Sequence, residues 1–186
     1  MPILAKEPDI FPEHLLDATE SVGITGEPWW ALYTLPRREK ELMRRLRGLG
    51  IGFYSPIIEQ RKRSPQGRIR KSYLPLFASY VFMHGGDEAR QRALTTNCIS
   101  RCLTVPDSDR LVDDLRQIRR LILANFPLTP ESRIQPGTPV RVRSGPLMGV
   151  EGVVVRRQNK ERLLVSVRFL QQGASALLED FQVEAI

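Results

Sequence analysis

A glycine-rich segment near the C-terminus, residues 140–155, places the strongest constraint on how this chain can fold. Both of its ends are valine-rich stretches in which apolar residues alternate, and such stretches favour β-strands. Between them lie Gly145, Gly149 and Gly152. Glycine is favoured where a turn needs positive φ or where two backbones approach closely. The segment therefore predicts a strand, a tight loop and a second strand, although many ordinary hairpins show the same pattern.

The region around this segment predicts a small β-domain. Short β-favouring stretches follow one another at 139–143, 150–157, 162–169, 174–178 and 181–184. This number and spacing of strands suits an SH3-like five-stranded barrel covering residues 139–186. The preceding segment, 127–138, contains three prolines and no hydrophobic period, so we predict a linker there.

Strands and helices alternate in residues 28–126. The predicted elements are a strand at 29–34, a helix from Pro36 to Gly48, extended residues 53–59, a basic hairpin at 61–71 that turns at 65–67, an apolar strand at 74–83, a helix at 87–96 with Asp87 as cap, a strand at 99–105, and a helix capped by Asp107 or Ser108. Residues 28–126 therefore predict an α/β sandwich, an antiparallel sheet with flanking helices. Together with the barrel, the fold class is α+β.

Charge is distributed unevenly along the chain, whose net charge is +7. Residues 1–27 are acidic and rich in proline, and we predict a largely disordered extension. Residues 37–71 carry twelve Lys and Arg against three acids. Such a concentration is expected of a surface that binds phosphates, but a solvated helix face together with a flexible basic loop would give the same count.

Several functional classes lack their sequence signals. Cys98 and Cys102 have no second pair or nearby histidines at metal-ligand spacing, so we predict buried or half-buried thiols and no metal. The glycines at 145 and 149 are not followed by the Gly-Lys-Ser/Thr that a phosphate-binding loop requires. We expect no enzyme activity and no cofactor. Because no apolar run reaches the length of a membrane span and no signal peptide is evident, we expect a cytoplasmic protein.

The order of these motifs resembles the NusG family of transcription elongation factors. The resemblance is carried by Trp29-Trp30-Ala31-Leu32-Tyr33, by Leu76-Phe77-Ala78-Ser79-Tyr80-Val81-Phe82, by Pro136-Gly137, and by the glycine-rich segment, which resembles a KOW motif; Leu164-Val165-Ser166-Val167 and Asp180-Phe181-Gln182-Val183-Glu184 complete it. The family implies an NGN domain that binds the clamp helices of RNA polymerase and a KOW domain that recruits a further partner, either a ribosomal protein or Rho. It also implies contact with non-template or upstream DNA and, we expect, a monomer.

The resemblance assigns roles to particular residues. The apolar polymerase-binding surface is matched by Tyr33, Phe77, Ala78 and Tyr80, with Ile118, Leu121 and Ile122 as further contributors. Of these, we predict Tyr33 and Phe77 at the interface, whereas Tyr80 fits the core better. The KOW partner surface is matched by Phe169, Leu170 and Gln172.

Nucleic-acid contacts are assigned mainly to basic residues of the first helix and the hairpin. These are Arg37, Arg38, Lys40, Arg44, Arg45, Arg61, Lys62, Arg63, Arg68, Arg70 and Lys71. Thr96 and Asn97, beside the predicted strand 99–105, match a region where specialised family members read bases or touch the polymerase.

Two departures from the family pattern leave alternatives open. The usual Phe-Pro-Gly-Tyr is Phe77-Ala78-Ser79-Tyr80 here, which favours a specialised paralogue of the RfaH kind, an antitermination factor. The usual Phe-Gly-Arg of the KOW domain is replaced at residues 170–172, so the partner is open. A ribosome-associated or general RNA-binding KOW protein, or a factor that assists termination, are the alternatives. Some relatives hold the KOW domain as a helical hairpin, but the valine content of residues 150–169 predicts a constitutive barrel.

Overall fold

The structure is a computed structural model that describes residues 6–17, 26–133, 136–178 and 183–186. The chain divides into two compact units, residues 1–106 and 107–186. The described residues combine three α-helices with antiparallel sheets, so the fold is of the α+β class, as predicted.

The described residues of the first unit form a five-stranded antiparallel sheet, a two-stranded sheet and two helices. Its elements are β1 (Ile10–Phe11), β2 (Trp29–Thr34), α1 (Glu39–Gly48), β3 (Gly52–Tyr54), β4 (Ile57–Arg63), β5 (Ile69–Pro75), β6 (Tyr80–His84), α2 (Asp87–Leu94) and β7 (Ile99–Thr104). The sheet order is β1-β3-β6-β2-β7, and β4 pairs with β5 in a separate two-stranded sheet. Strand β2 lies between β6 and β7, as its run of apolar and aromatic residues indicates.

The core of the first unit is formed by apolar residues of α1 and of the sheet. Leu42, Met43 and Leu46 line the buried side of α1 and belong to one cluster with Leu32 of β2 and Val81 of β6. Residues three and four positions apart share one face of a helix, so these three side chains are buried together. Cys98 is buried in the same cluster and Cys102 is half-buried beside it, as predicted for these thiols.

The N-terminal segment 6–17 is packed against the sheet, which corrects the prediction of disorder for this part of residues 1–27. Strand β1 pairs with β3, and the ring of Phe11 stacks on Phe53 with centroids 6.5 Å apart. Ile10, Leu15 and Leu16 are buried. These apolar residues follow neither a helical nor a strand period, so the sequence pattern gave no signal. Residues 1–5 and 18–25 lie outside the described residues.

Two local predictions about strands and caps are also corrected. The strand predicted at 74–83 is interrupted, because β5 ends at Pro75 and residues 76–79 form a bend before β6 begins at Tyr80. Helix α2 has Gly86 rather than Asp87 as its N-cap. Asp87 lies in the first turn, where its carboxylate accepts a hydrogen bond from Arg90 at 2.7 Å.

In the second unit, the residues that the structure describes form one α-helix and a six-stranded antiparallel sheet. Its elements are α3 (Ser108–Leu123), β8 (Thr129–Glu131), β9 (Thr138–Val142), β10 (Glu151–Arg157), β11 (Lys160–Val167), a 3-10 turn (Arg168–Leu170), β12 (Gln172–Leu177) and β13 (Val183–Ala185). The sheet order is β13-β9-β10-β11-β12-β8. Asp107 caps α3, and its side chain accepts a hydrogen bond from the backbone N–H of Arg110 at 3.0 Å, as predicted.

Two elements of this unit fall near the predicted end of the first domain and in the predicted linker. Helix α3 was assigned to residues 28–126 but lies in the second unit, where the carboxylate of Asp114 accepts a hydrogen bond from the backbone N–H of Arg168 at 2.9 Å. Strand β8 falls inside the predicted linker 127–138 and pairs with β12. Its proline-containing sequence is compatible with an edge strand, the position that tolerates proline.

The glycines of the loop between β9 and β10 have the two roles that the sequence predicts. Gly145 and Gly149 adopt positive φ, 83° and 82°. Gly152 lies so close to β11 that an added Cβ would be 2.5 Å from the carbonyl oxygen of Leu164. Any side chain at Gly152 would therefore force the two strands apart.

Candidate functional site

An exposed pair of tyrosines marks one candidate binding surface on the first unit. Tyr33 of β2 and Tyr80 of β6 are directly opposite in the antiparallel pairing, and their rings meet edge to face with centroids 5.1 Å apart. Tyr33 is 38% exposed, Tyr80 is half-buried, and Ala78 is exposed. We call Tyr33, Ala78 and Tyr80 the tyrosine patch. Leu35, which is 41% exposed, follows in the chain and was not predicted.

Phe77 does not belong to this surface, which corrects the prediction that favoured it as an interface residue. Its side chain is 1% exposed and packs edge-on against Phe82 with ring centroids 6.1 Å apart. Phe77 lies within the bend at residues 76–79, between β5 and β6. Conversely, Tyr80, which fitted the core better by sequence, is partly exposed.

The bend beside the tyrosine patch is held by a buried carboxylate. Ser79 adopts a left-handed conformation with φ of 65°, at the position where the family pattern has glycine. Its backbone N–H donates to the buried side chain of Glu39 at 2.8 Å, and its carbonyl accepts from the N–H of Thr34 at 2.8 Å. These two bonds fix the backbone that carries Ala78 and Tyr80, even though serine adopts this conformation less readily than glycine.

The three predicted polymerase contacts on α3 are mostly interior residues. Ile118 and Leu121 are fully buried, and Ile122 is half-buried. Because α3 belongs to the second unit, each of these residues is placed in a different unit from the tyrosine patch. In this conformation Ile118 and Leu121 cannot contribute to an exposed surface.

The first basic surface follows α1, and most of its cations already have partners. Arg38 and Arg45 both pair with Glu41, the latter at 2.8 Å. Arg44 pairs with Glu7 at 3.0 Å. Hydrogen bonds from Arg38, and then from Arg45, lower the pKa of Glu41.

Three further cations complete the α1 surface. Arg47 donates to the carbonyl of Pro8 at 3.0 Å, so the N-terminal segment engages this helix a second time. Arg37 and Lys40 have no side-chain partner within the described part of the chain. Arg37 precedes the helix and adopts positive φ.

The second basic surface is the hairpin β4–β5. At its middle, Glu59 pairs with Arg61 at 2.6 Å and with Lys71 at 3.5 Å. The hydrogen bond from Arg61 is the main reason that the pKa of Glu59 is lowered. Nearer the tip, four exposed cations have no side-chain partner among the residues that the structure describes. This distal cluster consists of Lys62, Arg63, Arg68 and Arg70.

Thr96 and Asn97 differ in their availability for binding. Thr96 is buried, and its hydroxyl donates to the carbonyl of Ala93 at 2.7 Å, so it has a structural role at the end of α2. Asn97 is exposed and adopts positive φ. Only Asn97 of this pair is accessible.

The residues assigned to partner binding in the second unit lie together after β11. Phe169 and Leu170 form the 3-10 turn and are half-buried, and Gln172 begins β12. The turn is anchored to α3 through Asp114, whose pKa is raised, chiefly by burial. On the loop between β9 and β10, Met148 is 68% exposed and was not predicted.

One family model matches more than half of this chain. The model of the family described as transcription termination factor nusG matches residues 27–124, more than half of the chain. The protein therefore belongs to the NusG family of transcription factors. The match extends beyond Pro106, where the first unit ends, to the end of α3. A search of curated proteins gave no match. Among the described helices, none is both long and apolar enough to span a membrane.

Proposed function

We propose that this protein binds transcribing RNA polymerase through the tyrosine patch and promotes processive elongation as a specialised antitermination factor. The observation that carries the proposal is the exposed Tyr33–Tyr80 pair, at positions where the family resemblance expects an apolar polymerase-binding surface. Aromatic side chains are favoured at interfaces because they bury a large area at a small loss of conformational entropy.

The proposed mechanism requires binding alone. A factor that binds the closed clamp of RNA polymerase more tightly than the open, pause-prone state shifts the population towards the closed state. We therefore propose a cytoplasmic, monomeric and non-enzymatic factor that works without a cofactor. Its basic surfaces would contact non-template or upstream DNA.

The second unit is proposed to be a KOW domain that recruits a ribosomal protein or Rho. Supporting observations are the antiparallel strands around the glycine loop and the exposed or half-buried residues after β11, including Phe169 and Leu170. Because residues 151–157 and 160–167 form strands β10 and β11, we propose that this domain stays in its β-form.

The experiment is a binding measurement with an assembled elongation complex, naked duplex DNA and single-stranded RNA at equal salt. The test variant is Tyr33→Ala, and Leu123→Ala is a control of comparable or greater exposure in the second unit. We expect the wild type to prefer the elongation complex and Tyr33→Ala to weaken that binding about tenfold, a typical loss for an aromatic interface residue. Leu123→Ala should have no effect.

The competing function is that of a general RNA-binding protein, which the unpartnered cations of the distal cluster favour. It would be supported by equal or tighter binding to free RNA with a steep dependence on salt and no sensitivity to Tyr33→Ala. That result would contradict the proposal that the protein binds RNA polymerase through the tyrosine patch.

A further inference from the structure

We infer that residues 6–8 form an autoinhibitory contact, in which Glu7 and the carbonyl of Pro8 occupy two arginines of α1 as phosphates would, so that nucleic acid must displace them. The inference rests on the DNA contact of the proposed function and adds its regulation. The N-terminal segment 6–17 lies outside the residues that the family model matches, which begin at residue 27.

The cations on one face of α1 are neutralised by an acid of the helix itself. Arg38, Glu41 and Arg45 are separated by three and four positions, so they lie on the same face. Glu41 pairs with both arginines. These contacts are local to the helix and need no other part of the chain.

The cations on a second face of α1 are engaged from outside the helix. Lys40, Arg44 and Arg47 are separated by four and three positions and therefore share a face, about a third of a turn from the first one. Glu41 is already bonded on the first face. Lys40 has no side-chain partner within the described part of the chain, and the partners of the two arginines lie in the N-terminal segment.

The contact with Arg44 is the kind of contact by which arginine binds a phosphate. The Nε–H of Arg44 donates to Oε2 of Glu7 at 3.0 Å, and an Nη2–H donates to Oε1 of the same carboxylate at 3.4 Å. Two bonds from one guanidinium to two oxygens of one anion form a fork that suits carboxylates and phosphates alike. The carboxylate of Glu7 therefore fills the position that a phosphate bound to this guanidinium would take.

Arg47 is held by the next residue of the segment. Its Nη2–H donates to the carbonyl of Pro8 at 3.0 Å, and its guanidinium lies 5.8 Å from the ring centroid of Phe53. Arg44 and Arg47 are thus occupied by two consecutive residues of the segment. A nucleic acid that uses these two cations has to replace both contacts.

The segment is anchored directly after this contact. The backbone N–H of Ser55 donates to the carbonyl of Asp9 at 2.8 Å, and β1 then pairs with β3. A group tethered so close to its site competes at an effective concentration in about the millimolar range. Residues 6–8 themselves are exposed or half-buried. They can therefore leave the helix while β1 stays paired.

The expected consequence is a lowered apparent affinity rather than a complete block. When only a fraction of the molecules has the site open, the apparent affinity falls by that fraction. Exposed ion pairs are weak, so the closed form should exceed the open form only a few-fold. A high local density of phosphates would then displace the segment.

The experiment measures the affinity of the full chain for duplex DNA by fluorescence anisotropy at low salt. The test variant is Lys6→Gln/Glu7→Gln, which removes one cation and one acid and therefore leaves the net charge at +7. We expect its affinity to rise about threefold, as for the loss of a weak intramolecular competitor. Lys6→Gln alone keeps the contact of Glu7 and should not raise the affinity.

The matched control makes the same double change in a chain that carries Arg44→Gln and Arg47→Gln. Without these cations the segment has nothing to release, so the affinity should not rise. An equal rise in both backgrounds would overturn the inference, and so would DNA binding with no rise in either. If no variant binds DNA, the proposed DNA contact fails and the inference fails with it.

A second readout reports the displacement directly. In the free protein, the heteronuclear ¹⁵N NOE of the Glu7 amide should show an ordered residue. With saturating duplex DNA this NOE should fall, because Glu7 leaves the helix, whereas the NOE of Phe11 should stay high, because β1 remains paired. A Glu7 amide that stays ordered in the DNA complex would contradict the displacement and overturn the inference.

Discussion

The two basic surfaces of the first unit each carry six Lys and Arg but differ in how these cations are used. On α1, Arg38, Arg44 and Arg45 are paired with carboxylates and Arg47 with a backbone carbonyl. On the hairpin β4–β5, the distal cluster has no such partners among the described residues. Exposed ion pairs are weak, so a phosphate can displace them, but it must compete with them. The number of cations in a segment therefore overstates its binding capacity when acids lie nearby in the fold.

The largest effect is expected from releasing the N-terminal segment that engages α1. Leu16 is a buried residue of this segment, and Leu16→Ala should lower the free energy of unfolding by about 2–5 kcal/mol through loss of burial and creation of a cavity. Urea denaturation checks this value. Leu35→Ala, at an exposed site, is the control and should change stability by less than about 1 kcal/mol. An unchanged stability in Leu16→Ala would show that the end of the segment 6–17 is not packed in solution.

The next largest effect is expected when the cations of each surface are replaced by neutral residues, which compares the two surfaces directly. One variant replaces the distal cluster, Lys62, Arg63, Arg68 and Arg70, by glutamine; its match replaces Arg38, Arg44, Arg45 and Arg47. The hairpin variant should lose about 10- to 100-fold in affinity for duplex DNA at low salt, and the slope of log affinity against log salt should fall by about 3–4.

The matched helix variant should lose much less, because its cations are already engaged. Equal losses in affinity and slope by the two variants would contradict the comparison. Circular dichroism of both variants checks that the fold is retained, as expected when exposed side chains are changed.

A smaller effect is expected from removing the acid that holds cations on each surface. Glu41→Gln releases Arg38 and Arg45, and Glu59→Gln releases Arg61 and Lys71. Each should raise affinity for DNA about two- to threefold at low salt, and the gain should disappear at high salt as the charges are screened. If only Glu59→Gln increases affinity, the helix lies outside the binding surface whether or not its cations are free.

Features with a local sequence signal could be predicted, whereas features that depend on contacts between distant residues could not. Helix α1, the turn at residues 65–67 and the cap at Asp107 follow from local signals, and each was predicted. The packing of residues 6–17 on the sheet was not predicted, because Ile10, Leu15 and Leu16 have no regular spacing. A sequence also does not show that Glu7 reaches Arg44 from far along the chain.

The candidate binding surface was predicted less completely than the fold. Tyr33 was predicted at the interface and is exposed, whereas the exposure predicted for Phe77 and Tyr80 was reversed. The reason is the bend at Ser79, a left-handed residue where neither glycine nor proline gives a signal. The carboxylate that stabilises this bend comes from Glu39, forty positions earlier in the chain. Such a long-range contact becomes visible only in the fold.

The smallest effect is expected when the pH is lowered. A pH series tests whether Glu41 and Glu59 remain charged between about pH 7 and pH 5. Hydrogen bonds from arginines lower the pKa of both Glu41 and Glu59 from the ordinary value of 4.5. For a carboxyl with a lowered pKa, the ion pair is complete above the ordinary value and is lost only as pH falls through the lowered one. The ratio of DNA affinities between Glu59→Gln and wild type should therefore stay constant from about pH 7 to pH 5. Anisotropy titrations at fixed ionic strength measure this ratio. A ratio that falls towards one within this range would mean that Glu59 is already protonating and that its pairing with Arg61 does not hold the hairpin cations in solution.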